Sequence, residues 1–354
     1  MDPVALAGAA AVRRAIPTGR LEELVFKTAA AALADAGLSR ADLDAVVLGA
    51  SDELDGRSIS SMLTAAPAGA LLKDEAKVPD SGLHALALGV MKVLSGSAAT
   101  VMVISWGAPS ECSREAIQRT ALEPFVERPV GTIDGVAFGL TAAAYLERHG
   151  RALADLDRRA DVRHARVGGD RGGDGWIAYP LRRRHVAPVV DGAAAVVLVS
   201  GRPPAGAAPA GWIRGLGWAS DVHAMAERTP GAWPALEVAA ATALGRAGIA
   251  IADVAGYEVD DRTVIHEALA LEGLGAAAPG TAFDALDGEL GSRVNRHSGD
   301  GFAGIPVHCT GLWRLATVCA AWRDRPGGGP LLVHDSVGLG GQSHAVVVAE
   351  AVRE

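Results

Sequence analysis

The stretch Ala32-Leu33-Ala34-Asp35-Ala36-Gly37-Leu38-Ser39-Arg40-Ala41-Asp42-Leu43 returns 211 positions later as Ala243-Leu244-Gly245-Arg246-Ala247-Gly248-Ile249-Ala250-Ile251-Ala252-Asp253-Val254. Both copies read as an alanine-rich helix, a glycine just past its end, and a strand. Gly37 and Gly248 suit the left-handed residue that closes a helix, because a residue without Cβ adopts it at little cost. The strands are expected at Ala45 to Gly49 and Ala255 to Val259. A second pair, Ser81-Gly82-Leu83-His84-Ala85-Leu86-Ala87 and Thr310-Gly311-Leu312-Trp313-Arg314-Leu315-Ala316, is 229 positions apart. Each opens a helix on a hydroxyl residue and leads to an apolar strand, Thr100 to Ile104 and Leu331 to Val333. Ala193 to Val199 and Ala345 to Ala349 close the two halves. Apolar strands alternating with helices predict an α/β chain whose sheets are covered on both faces.

Working outward, residues 1–200 form one half and 201–354 the other. The segment at about 107–188 has no counterpart in the second half and is expected as an inserted loop domain, with a helix at Val136 to Arg148. Ser200 to Ala210, rich in Pro, Gly and Ala, reads as the linker. The length of 354 residues and 49% apolar content suit two core-bearing units, not a disordered chain. With 33 Lys and Arg against 41 Asp and Glu, the net charge of −8 argues against nucleic acid as a partner. Cys112, Cys309 and Cys319 show no metal-ligand spacing, so no metal is expected, and one would stay unpaired. That suits a reducing, cytoplasmic setting. In Met1 to Arg20 the basic residues follow the apolar run, unlike a signal peptide, and no stretch is long and apolar enough for a membrane span.

The duplicated α/β unit with an inserted loop domain resembles the thiolase superfamily. Asp35-Ala36-Gly37-Leu38 with Ala41-Asp42-Leu43-Asp44, Asp191-Gly192-Ala193-Ala194-Ala195-Val196-Val197, Val294-Asn295 through Gly304, Pro306, Thr310 and Gly311, and Gly338-Leu339-Gly340-Gly341 follow that family's order of motifs. The glycine-rich run is most similar to the sterol-carrier-protein-X (lipid-transfer-protein) type. The resemblance implies a five-layer αβαβα fold with two pseudo-twofold-related halves, an acyl-CoA ligand and a place in lipid metabolism. It also implies a homodimer or a heteromer with a thiolase-like chain, and a possible small OB-fold, zinc-ribbon partner that binds acyl-CoA.

The family's chemical positions are all changed. Its cysteine nucleophile falls at Pro79, which carries neither a thiol nor a backbone N–H. Its loop histidine falls at Ile305, and its oxyanion-water ligand in Glu258 to Asp261, at Asp260. Its last base falls at Asp335 or Ser336. Ordinary thiolase activity is therefore expected to be absent. Two replacements are open. Cys309, at a helix N-terminus that favours thiolate, with His308 as base, could form a new pair; alternatively Cys309 fills the place of a small residue. Asp80, Asp260, Asp335 and His297 could converge as an acid–base set, or Asp80 could be a cap and Asp335 solvated. His84, His266 and His344 read as core histidines. Arg182, Arg183 and Arg184 lie where the family binds coenzyme A and could grip its phosphates, unless the run is only solvated. Trp106 should lie at a subunit contact or in acyl-chain space. A scaffold or regulatory subunit of an acyl-CoA-processing complex leads among the functions. A remodelled retro-aldol lyase or acyltransferase on a CoA thioester is the alternative.

Overall fold

The computed structural model describes residues 4–14, 19–168, 172–201 and 209–352; most of the linker expected at Ser200 to Ala210 lies outside them. The first half runs β1 (Val4–Arg14), α1 (Leu21–Ala36), β2 (Ala45–Gly49), α2 (Ser61–Ala68), β3 (Asp74–Val78), α3 (Gly82–Leu94) and β4 (Thr100–Gly107). An insertion follows: α4 (Arg114–Ala121), α5 (Glu127–Val130), α6 (Asp134–His149), α7 (Leu153–Val167) and a small hairpin, β5 (Trp176–Ala178) with β6 (Leu181–Arg182). Then β7 (Asp191–Val199) closes the first half. The second half runs β8 (Gly211–Ser220), α8 (Pro234–Ala247), β9 (Gly256–Glu258), α9 (Val264–Gly273), α10 (Ala282–Asp287), α11 (Thr310–Asp324), β10 (Leu331–Val337) and β11 (Ser343–Ala351).

The strands are ordered β3-β2-β4-β7-β1-β8-β11-β10-β9, so the first half reads from one edge inward and the second half mirrors it. The halves join through a short antiparallel contact, Val4–Leu6 against Gly211–Ile213. Three apolar clusters give the layers. One lies under α1, one under α8 and α9, and the third fills the space between the half-sheets around α3 and α11. This is the five-layer αβαβα arrangement. Gly37 and Gly248 end α1 and α8 at φ 66° and 70°. The helices α3 and α11 open side by side: a Cβ on Gly82 would come within 2.6 Å of the Leu312 Cβ. The glycine-rich turn joins β10 to β11 on positive φ angles at Gly338, Gly340 and Gly341.

The apolar strand expected at Thr100 to Ile104 lies inside the sheet. β4 lies between β2 and β7 and is buried throughout, because its apolar run is covered by α1 on one face and α3 on the other. The open edge of the first half is β3, whose residues Asp74, Glu75 and Lys77 are polar, as an edge requires. Trp106, at the end of β4, is 1% exposed, and its Nε1–H donates to both carboxylate oxygens of Asp55 at 3.0 Å.

Candidate functional site

Two cavities adjoin beneath the inserted segment. One, of about 300 Å³, is walled by apolar side chains that include Phe138, Leu181, Val186 and Ile305. The other, of about 240 Å³, is lined by Leu54, His308, Ser336 and Leu339 among others. Arg114, Gln118, Asp134, Arg262 and Val307 border both and form the neck between them.

Ser336 and Asp335 come from β10, where successive side chains point to opposite faces. Ser336 faces outward and its Oγ donates to Asp260 Oδ2 at 2.6 Å. Asp335 faces inward against the first turn of α11, where a Cβ on Gly311 would lie 2.5 Å from the Asp335 Cβ. The Asp335 carboxyl is 1% exposed. Its Oδ1 accepts from the Ser336 N–H at 3.1 Å, and its Oδ2 has no hydrogen-bond partner. Burial, followed by the nearby charge of Asp260, pushes this carboxyl up to about 7, with Arg262 opposing. A carboxyl that exchanges its proton near neutral pH is suited to acid–base work.

Asp260 has a different character. Burial alone would raise it, but Arg262 outweighs that and holds it well below the usual carboxylate range. The Arg262 Nε donates to its two oxygens at 3.1 and 2.8 Å, and the Arg262 Nη2 also donates to the Ser336 carbonyl at 2.7 Å. Asp260 is therefore a permanent anion that orients Arg262 and Ser336. Arg262 stays charged despite burial, through Asp260, Asp335 and Asp134. The neighbouring Asp261 serves the interior. It accepts from Arg163 Nη2 at 2.6 Å, the Gly301 N–H at 2.9 Å and Asn295 Nδ2 at 3.0 Å.

The other expected residues separate. Pro79 and Asp80 are exposed at the approach to α3. The Asp80 carbonyl, not its carboxylate, accepts from the His308 Nδ1 at 3.2 Å. Asp80 lines neither cavity. His308 adopts φ 68°, and its carbonyl accepts from the Gly82 N–H at 2.8 Å, capping α3 from the other half. Burial, with Arg262 and Arg114 adding to it, lowers its imidazole to about 4. Cys309 does not carry a thiolate: it is fully buried, and burial with the Asp335 charge raises the thiol well above its usual range, outweighing the helix N-terminus. His297 lies elsewhere, in a groove with Arg293 and Arg296 beside the β9 edge. Ile305 walls the first cavity. Arg182 pairs with Asp157 at 3.7 Å and Asp174 at 3.6 Å, and Arg184 with Asp161 and Asp174. Of the three arginines, only Arg183 is exposed. The neck residues Arg114, Gln118, Asp134 and Arg262 carry no sequence motif; their convergence is purely tertiary.

His84 is a hydrogen-bonded core residue, between the Ser81 Oγ at 2.9 Å and the Ser343 Oγ at 3.1 Å. His266, His334 and His344 cluster around Trp233, with ring centroids 5.0, 6.3 and 4.8 Å from it. Burial lowers His266 to about 3, His334 to about 4, and His344 well below its usual value of 6.5. A group with a depressed folded pKa loses stabilisation as protons bind the unfolded chain first. These histidines should thus leave stability intact above about pH 6.5 and erode it as pH falls toward 4 and 3. Thermal melts from pH 7.5 to 4 should show that fall, and His266→Phe should flatten it; an unchanged slope would count against the cluster as its source.

Neither a family model nor a curated protein matches this sequence. Among the solved structures that it matches are two that cover nearly its whole length. The Ltp2-ChsH2(DUF35) aldolase superposes with TM-score 0.75 at 21% identity, covering 99% of this chain and 98% of that one. A monomeric SCP2-thiolase-like protein type 1 from Mycobacterium smegmatis superposes with TM-score 0.70 at 19% identity, covering 99% of this chain and 78% of that one. The chain has the thiolase-like fold that these two structures share.

Proposed function

We propose that this chain uses the thiolase-like fold for retro-aldol cleavage of a 3-hydroxyacyl-CoA thioester. The observation that carries this reading is the buried Asp335 carboxyl, with one free oxygen and a proton affinity near neutrality. As carboxylate, Asp335 takes the proton of the 3-hydroxyl. The Cα–Cβ bond breaks, its electron pair moves to the thioester carbonyl as an enolate, and the carbonyl product leaves. The proton held by Asp335 then returns to Cα, giving a shortened acyl thioester. Arg262, oriented by Asp260, supplies positive field at the neck for the enolate. Pro79 and Ile305 have no part in such a route, so their replacement of the thiolase groups costs it nothing. The aldolase named among the structural neighbours supports this chemistry by likeness of fold.

A second reading, a non-catalytic subunit of an acyl-CoA-processing complex, is favoured by one observation: Asp335 lines neither cavity. The deciding experiment incubates 3-hydroxyoctanoyl-CoA with the purified chain, alone and with a small OB-fold, zinc-ribbon acyl-CoA-binding partner, and assays for acetyl-CoA and the aldehyde. Cleavage supports the lyase. A defined complex without cleavage supports the subunit, and neither result leaves both readings without support. Arg183 is the residue of its run best placed to meet the coenzyme A phosphates.

Assembly belongs to the same proposal. The turn leading into β3 exposes Leu71 and Leu72, at 69% and 98%, and Met62 on the preceding α2 is 84% exposed. Covering that apolar patch beside the polar edge is a reason to associate. Light scattering should give a dimer, or a complex with the partner, and Leu72→Glu should release the monomer. A wild-type monomer with and without partner would refute this. Among the described residues no helix is long and apolar enough to cross a membrane.

A further inference from the structure

The neck between the two cavities carries a polar trio that no part of the proposed reaction uses. Asp134 opens α6, and Arg114 and Gln118 lie one turn apart on α4. The Gln118 Nε2 and the Arg114 Nη2 both donate to Asp134 Oδ2, the latter at 3.3 Å, and the Asp134 N–H donates to Gln118 Oε1 at 3.4 Å. The Arg114 Nε has no partner. The side chains of Arg114 and Asp134 keep 27% and 21% of their surface open, and both border the two cavities.

A purely structural role explains this poorly. An ion pair that only pinned α4 to α6 would be bettered by two apolar side chains in so apolar a wall. A half-buried carboxylate with one amide donor and one guanidinium still has acceptor capacity, and Arg114 still has a donor to give. The neck lies between the cavity bordered by Ser336 and the apolar cavity walled by Phe138 and Ile305. A thioester reacting beside Ser336 with its chain in the apolar cavity would place the carbon between them, the one bearing the hydroxyl, at the neck.

We propose that Asp134, held by Arg114 and Gln118, is the specificity-determining residue that accepts a hydrogen bond from the hydroxyl of a 3-hydroxyacyl thioester as it binds, before that proton is removed in any reaction, so that the site selects hydroxylated over saturated acyl chains. This rests on the substrate class proposed above, though not on turnover. A site built to bond a hydroxyl discriminates strongly against an analogue that lacks it, because its own polar groups are then left unpaired.

The test is calorimetric binding of 3-hydroxyoctanoyl-CoA and octanoyl-CoA to the full chain, alone or with whatever partner it requires. The wild type should bind the hydroxylated thioester at least about tenfold more tightly. Asp134→Asn and Gln118→Leu should bring the ratio close to one, mainly by weakening the hydroxylated ligand, with the fold checked by circular dichroism. Phe138→Trp, which fills the apolar cavity, should weaken both ligands and leave the ratio unchanged. Equal affinities in the wild type, a preference that survives in both neck variants, or no binding of either thioester would overturn the assignment. Preferential binding without cleavage would sink the lyase and leave this inference standing. Cleavage with the preference intact in Asp134→Asn would do the reverse.

Discussion

Asp335→Asn should stabilise the protein at pH 8 and at the same time remove carbon–carbon cleavage. The carboxyl has an ordinary value of 3.8 and is pushed up to about 7 in the folded chain. Between those values the folded state holds a proton that the unfolded state has shed. Its contribution to stability is therefore complete below about pH 3.8 and is lost as pH rises through about 7. At pH 8 the buried charge costs up to about 4 kcal/mol, taking about 1.4 kcal/mol per unit. Asparagine removes the charge but brings an amide that needs its own partners, so a net gain of about 2 kcal/mol is expected. Melting curves should show a rise of a few degrees at pH 8 and none at pH 4. Cleavage of 3-hydroxyoctanoyl-CoA should fall by at least about a hundredfold. A gain of equal size at both pH values would mean that the carboxyl is not ionised in the folded protein at pH 8. A loss at pH 8 would mean that Asp335 is a structural anchor.

Arg163→Met should destabilise the chain by about 3–5 kcal/mol, the usual result of taking one partner from a buried ionic group. Arg163 reaches from α7 of the inserted segment into the second half and is fully buried. It donates to Asp261 Oδ2 at 2.6 Å, Asp300 Oδ1 at 2.8 Å and the Asp261 carbonyl at 2.7 Å. Its guanidinium lies 3.8 Å from the centre of the Phe302 ring. Without it, two carboxylates face each other in the interior with Arg314 as the remaining cation on Asp261. The loop that carries Phe302 and Ile305 would loosen with them. Thermal or urea unfolding measures the loss, and the double variant Arg163→Met with Asp300→Leu should recover part of it. A change within about 0.5 kcal/mol would place Arg163 among ordinary surface-like positions.

The repeat, and through it the fold, could be read from the chain alone. Gly37 and Gly248 could be read because a helix that stops at a left-handed residue selects glycine locally, and the strand at Ala45 to Gly49 because a covered strand is an unbroken apolar run. Their 211-residue spacing needed no tertiary information. The loss of thiolase groups at Pro79 and Ile305 was legible for the same reason: a side chain without a proton or a nucleophile lacks them in any environment. β1 and β8 were not legible, since their small, alanine- and glycine-rich faces gain their burial from partners between about 120 and 210 residues away. Nor could the sequence place Thr100 to Ile104 inside the sheet, because an apolar strand looks the same at an edge that another subunit covers.

The chemical character of the site was decided only by the tertiary structure. Asp260 and Asp335 are the same residue type, yet Arg262 holds one as a permanent anion, while enclosure against Gly311 leaves the other near neutrality. Cys309 sits at a helix N-terminus that favours thiolate, and its burial reverses the outcome. Arg182 and Arg184 look like phosphate ligands in the chain, but Asp157, Asp161 and Asp174 fold back to neutralise them. Arg114, Gln118, Asp134 and Arg262 come from separate segments and form a neck only once α4, α6 and the loop before α9 are packed together. Residue type fixes which protons a side chain can hold; the charges and the water around it, which long-range folding sets, fix whether it holds them at neutral pH.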